Sequence, residues 1–242
     1  KDGDINNNTR LISRMIESND KEGVTDILDL VEHGYYRADK WESLIGEGEV
    51  PQEITGKNKA EKLVNYSELL AAKIRLSNPT AVVAQMVRSG ETPLSKDEDK
   101  LHGDVHAFLT EHRDNFRIGQ PIEQYMKSND LKVSPEITGE ITRIHRVYQI
   151  TPNDESMNKL LHPKIGLDSA YKIAQYNRED FIRLMKDEIG EGNASLVHAR
   201  AQQAHNAVLN IVFSYLTAGI APGIGVHSPA KIINPIPTAS DV

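Results

Sequence analysis

Residues 59–77 read KAEKLVNYSELLAAKIRLS, with Leu63, Tyr66, Leu70 and Ile74 at i, i+3, i+7 and i+11. That spacing lines up one apolar face at 3.6 residues per turn and predicts a helix over the whole stretch. The same period recurs on both sides of it. Leu101, Val105, Phe108 and Leu109 predict a helix over about 97–112. Ser134 followed by Pro135 fits an N-cap with proline at the first helical position, leading into Ile141, Ile144, Val147 and Tyr148 on one face. Thr151-Pro152 repeats that start signal at once, and Asn177 followed by Glu179 and Asp180 reads as a cap with an acidic first turn. Alternating patterns long enough for strands are missing.

The last helix is expected over about 193–217, where Val197, Ala201, Ala204, Val208, Ile211 and Tyr215 step by four and three residues. Such a seam belongs to a helix packed closely along another. Breaks fall at Gly46–Gly56, Gly90–Pro93, Gly119–Pro121 and Pro163–Gly166, so the elements are short and antiparallel neighbours follow. The expectation is an all-α protein, an irregular multi-helix array of short antiparallel helices with one long C-terminal helix. Two lobes, 1–93 and 94–217, would be followed by an irregular Pro/Gly tail or linker at 218–242.

A chain of 242 residues buries roughly 70–75% of its unfolded surface, so a sizeable core is within reach. Only 38% of it is hydrophobic and 5% aromatic, which suits thin amphipathic helices with much wetted surface. A net charge of −7 without a Lys/Arg cluster argues against a nucleic-acid or anionic-membrane partner. With no cysteine, disulfides, thiolate nucleophiles and Cys-ligated zinc are excluded. The chain opens Lys1-Asp2-Gly3-Asp4 and closes near Pro235-Ile236-Pro237, which reads as a processed or excised piece of a longer protein.

His102 and His106 stand at i and i+4 on one helical face, the spacing of a zinc-binding helix. No glutamate follows the first histidine, Gly103 weakens the helix, and His112 is the nearest further ligand candidate. Both residues flank the stripe of Leu101, Val105 and Leu109, so they also read as boundary histidines. His145, His198 and His205 lie among Arg and Gln with no nucleophile in view, and neither Ser195 nor Ser214 has a Gly-x-Ser-x-Gly elbow around it. Glu47, Glu49 and the acidic run 97–99 fit loops and first turns. Gly219 to Gly225 is glycine-rich without a following Lys-Ser/Thr, so a phosphate cradle is not expected. Trp41, the one tryptophan, reads as the anchor of a small helical core. No charge occurs from Asn206 to Val226, yet Gly219, Pro222, Gly223 and Gly225 make this a poor spanning helix and a better docking segment. The Asn-x-Ser/Thr triplets at Asn7, Asn65 and Asn193 occur at the frequency of chance.

Several phrases appear in a fixed order: Trp41-Glu42-Ser43-Leu44, Val50 to Ile54, Asn65 to Leu70 and Pro79 to Ala84, then Arg143 to Pro152, Gly166 to Ala174 and Ala199 to Asn206. Taken together they resemble the helical region of the large A subunits of bacterial insecticidal toxin complexes and related virulence-plasmid A proteins. The likeness is loose over about 23–93 and closer over about 140–215, and 95–133 has no counterpart phrase. It implies a very large, mainly helical protein that forms a shell and channel, binds cells, inserts a pore and passes an enzyme carried by other subunits. It brings no catalytic residue.

The expected function is therefore a non-enzymatic structural segment of such a protein, bacterial and secreted or surface-associated. Its partners would be other segments or subunits of the assembly, with a homo-oligomer as one form, no cofactor, no nucleic acid and no membrane insertion by this segment. The alternatives are a stand-alone helical adaptor and a metal-dependent hydrolase built on His102 and His106.

Overall fold

A computed structural model describes residues 27–45, 50–96 and 98–220. Its elements run α1 Ile27–Glu32, α2 Ala38–Leu44, α3 Lys59–Ser77, α4 Pro79–Arg88, α5 Asp99–His112, α6 Ile122–Ser128, α7 Pro135–Tyr148, α8 Asp154–Leu161, α9 Ala170–Ala174, α10 Arg178–Ile189 and α11 Glu191–Ile220. Among the described residues there is no strand beyond a single bridge between Ile118 and Gln120. The fold is all-α, with a long C-terminal helix.

The ends of these helices follow from side chains that satisfy the orphan amides of the first turn. Asn58, Ser134, Asn153, Ser169 and Asn177 each accept a hydrogen bond from the backbone N–H three residues on. The start signal at Thr151-Pro152 is displaced: α8 begins at Asp154, capped by Asn153. Thr151 turns backward instead, donating its hydroxyl to the Val147 carbonyl at 2.9 Å and closing the end of α7. On α3 the buried face is Tyr66, Ser67, Ala71 and Ile74, while Leu63 and Leu70 border it half-buried. The stripe is thus turned about one residue from its expected axis.

α4 is the central element. Pro79 to Ala84, Met86 and Val87 are all buried, the pattern of a helix covered on nearly every side. It packs on α1, α3 and, most extensively, α5. Thr80 at its start ties in the next connection, donating to the Phe116 carbonyl at 2.7 Å and accepting from the Ile118 amide at 2.9 Å. Trp41 on α2 is 3% exposed, its indole N–H donating to the Tyr35 carbonyl at 2.7 Å and its ring meeting Tyr35 edge-on. From there one core continues through Leu109, Phe116 and Ile122, then Ile141, Ile144 and Leu160, to Phe181, Val197 and Ala201. The boundary expected at 93/94 lies between α4 and α5, which pack against each other within that core.

Candidate interaction surface and cleft

α11 changes character along its length. Its first half lies on α9 and α10, with Ala194, Val197 and Ala201 fully buried and Ala204 packed at the core's edge. Polar side chains fix it there: Arg200 donates to the Thr151 carbonyl at 2.9 Å, Gln202 to the Ala174 carbonyl at 3.1 Å, and His198 Nε2 to the Tyr176 carbonyl at 2.9 Å. His205 meets the Tyr171 ring edge-on. The three phrases 143–152, 166–174 and 199–206, well separated in sequence, therefore meet at one junction.

Beyond His205 the helix leaves the body. Val208, Leu209, Ile211, Val212, Phe213, Tyr215 and Leu216 are all exposed, Ile211 at 70% and Tyr215 at 81%. The seam expected along 193–217 is accordingly packed only as far as Ala204; its continuation through Val208, Ile211 and Tyr215 faces outward. At 100° per residue, Gln203, Asn206, Asn210, Ser214 and Thr217 fall within an arc of about 80°, leaving the rest of the circumference apolar. No helix among the described residues is long and apolar enough to cross a membrane. The glycine-rich run from Ala221 onward, like Glu47, Glu49, Asp97 and Asn7, lies outside the described residues.

A cleft of roughly 850 Å³ opens between the α1–α2 turn, the end of α3, the α4–α5 loop and α8. Arg75 crosses it, donating to the Tyr36 carbonyl at 2.7 Å and pairing with Glu68 and, at 3.5 Å, with Asp154 Oδ2. Burial pushes the Asp154 carboxyl up despite Arg75, which pulls it down. Tyr36 donates its hydroxyl to Glu91 at 2.9 Å, and burial followed by that bond drives its pKa far above the ordinary phenol value. Tyr36 is thus held as a hydrogen-bond donor to Glu91. Lys159 at the rim is held charged by Glu188 at 2.9 Å. The cleft's polar groups are largely engaged with one another, which suits a wall built for rigidity.

The histidines weighed as metal ligands are tied locally. His102 places Nδ1 3.0 Å from the Val87 carbonyl, His106 places Nε2 3.3 Å from the Thr110 hydroxyl, and His112 lies against Phe108 and Tyr125. Burial lowers the His106 pKa. No group of three or more His, Asp or Glu among the described residues could hold a metal ion.

Sequence reasoning missed the buried Glu140, which is 5% exposed. It accepts from the Ser95 amide and hydroxyl and from Arg143 at 3.2 Å, and Arg143 donates on to the Pro93 and Leu161 carbonyls. A Glu and Arg three apart on a helix look like a surface pair, and only the arrival of the 93–95 loop buries them.

Comparison with protein-family models, curated proteins and solved structures finds no match for this chain.

Proposed function

We propose that this chain is a non-catalytic helical segment of a toxin-complex A-like protein, acting in the structural assembly and protein–protein contacts of a cell-binding, pore-forming and translocating machine. The observation that carries the reading is the uncovered second half of α11. A helix apolar over most of its circumference is ordinarily buried, so the body ends in an element suited to being packed by something else. The resemblance of the ordered phrases supplies the class of machine, and three of those phrases build the junction from which the arm leaves. The protein would be bacterial, secreted or surface-associated within its larger parent.

The reading is tested on the parent protein. Limited chymotrypsin treatment should cut the isolated chain at Phe213 and Tyr215 and spare both bonds in the parent assembly. Adjacent genes for B- and C-type toxin subunits would accompany it. Equal cleavage in both contexts would refute the assembly role, and a parent no longer than this chain would favour a stand-alone adaptor.

A further inference from the structure

We infer that the cleft between the α1–α2 turn, the end of α3, the α4–α5 loop and α8 binds an organic cation, an amine or amidine group carried on an apolar body. The inference is independent of the assembly role of α11. The cleft has the make-up of a small-molecule site, an apolar floor with a few polar groups set at its edge. Met86 and Leu94 belong to that floor, with Pro93 and Pro163 beside them, and the volume of roughly 850 Å³ falls in the range usual for such sites. Glu91, Asp154 and Glu155 supply negative charge along it.

The balance of partners decides the sign of the ligand. Arg37, Arg75 and Lys159 also border the cleft, but each is shared with a carboxylate outside it: Arg37 with Asp39 at 3.6 Å, Arg75 with Glu68, and Lys159 with Glu188 at 2.9 Å. An anion would have to compete with those pairs. The carboxylates of the cleft are less well served. Tyr36, Ser89 and Arg37 all reach one oxygen of Glu91, Oε1, and no donor among the described residues reaches Oε2. Asp154 Oδ2 is buried without a hydrogen bond, 3.5 Å from Arg75 Nε, on a side chain that is still 19% exposed. Glu91 acts on the Asp154 carboxyl through space in the same direction as burial, so the two share one negative field. A half-compensated carboxylate weakens the fold it sits in, and such groups gather where a ligand completes them. An ammonium or amidinium beside Asp154 and Glu91 supplies the missing charge while its body covers the apolar floor. The walls are set beforehand, since Arg75 ties the Tyr36 carbonyl to Asp154 and Glu91 holds the Tyr36 hydroxyl, so binding requires little ordering of the site.

Isothermal titration of the whole chain with benzamidine, its neutral isostere benzamide and the anion benzoate tests the charge. Benzamidine should bind once per chain with a Kd of about 0.1–1 mM, and the other two should bind far more weakly. Asp154→Asn and Glu155→Gln should each weaken benzamidine about tenfold, the effect of losing one charge-assisted contact. Glu179→Gln, an exposed carboxylate in the first turn of α10, should keep the parent's affinity. Glu155 is itself exposed, so its variant keeps the parent's circular dichroism and the test does not rest on Asp154 alone. The blocked dipeptide acetyl-phenylalanyl-arginine amide separates the sources of the cation: binding tighter than benzamidine assigns the site to an arginine side chain of a protein partner, and binding weaker than benzamidine to a free organic cation. Failure of both probes to bind, equal binding of benzamide, a preference for benzoate, or an affinity that Asp154→Asn and Glu155→Gln leave unchanged overturns the proposal. Protection of Phe213 and Tyr215 from chymotrypsin in the parent is decided separately from any of these results.

Discussion

Glu140 and Arg143, one turn apart on α7, lie 3.2 Å apart with side chains only 6% and 14% exposed, and between them they hold the loop that joins α4 to α5. Removing either partner leaves a buried charge and unpaired groups beside it, the Ser95 amide and hydroxyl when Glu140 goes and the Pro93 and Leu161 carbonyls when Arg143 goes. Glu140→Ala and Arg143→Ala should each cost about 3–5 kcal/mol in urea unfolding. Lys159→Ala, which breaks the exposed pair with Glu188, should leave the unfolding midpoint close to the parent's. Equal costs at the two sites would show that the Glu140 clamp is not closed in solution.

Trp41 and Leu70 separate in the same way. Trp41→Ala removes a fully enclosed indole and its hydrogen bond to Tyr35, for an expected loss of about 3–5 kcal/mol. Leu70, half-buried at the margin of α3, should lose less than the 2–5 kcal/mol typical of enclosed leucines. Chemical denaturation of the two variants decides it.

Acid should loosen the fold through two histidines. Burial lowers the pKa of His106 and of His145, whose Nδ1 is buried without a partner. Both are held neutral in the fold while the unfolded chain takes up protons near the ordinary value of 6.5. Their contribution is therefore complete above pH 6.5 and is lost as the pH falls toward the lowered folded values. The midpoint of unfolding should drop on acidification below pH 6.5, with a shallower slope in His145→Leu. An unchanged slope in that variant would place the titration elsewhere.

Asp154 works with the opposite sign. Its folded pKa is raised by burial, so ionisation opposes folding as the pH rises from the unfolded value of 3.8 through the folded one. Asp154→Asn should raise the melting midpoint at pH 7 and lose that advantage near pH 3. A lower midpoint at pH 7 would mean that the ion pair with Arg75 outweighs the burial penalty.

Much of the architecture was legible because helix signals are local. Ser134 and Asn177 cap where their side chains can reach an amide three residues on, and Lys59 to Ser77 forms one helix as its period requires. The rest depended on partners distant in sequence. Whether Thr151 starts a helix or ends one turned on the carbonyl of Val147, and the outward course of Val208, Ile211 and Tyr215 reflects the end of α9 and α10, which no spacing within α11 encodes. The cleft was invisible for the same reason, since Tyr36, Arg75 and Asp154 come from three separate segments. The histidine pair at 102 and 106 could be picked out from its spacing, but its attachment to Val87 and Thr110 could not.

The continuity of α11 across the edge of the body bears on how its outer half meets a partner. Starting a helix is the unfavourable step, because several residues must be fixed for the first hydrogen bond, whereas extending one is nearly neutral. Residues 191–204 perform that start packed against the core, so the helix beyond His205 is propagated from a seeded end and holds its shape although 206–217 are exposed. Encounter with a neighbour then requires little further ordering of the backbone, and a larger share of the contact energy remains as affinity.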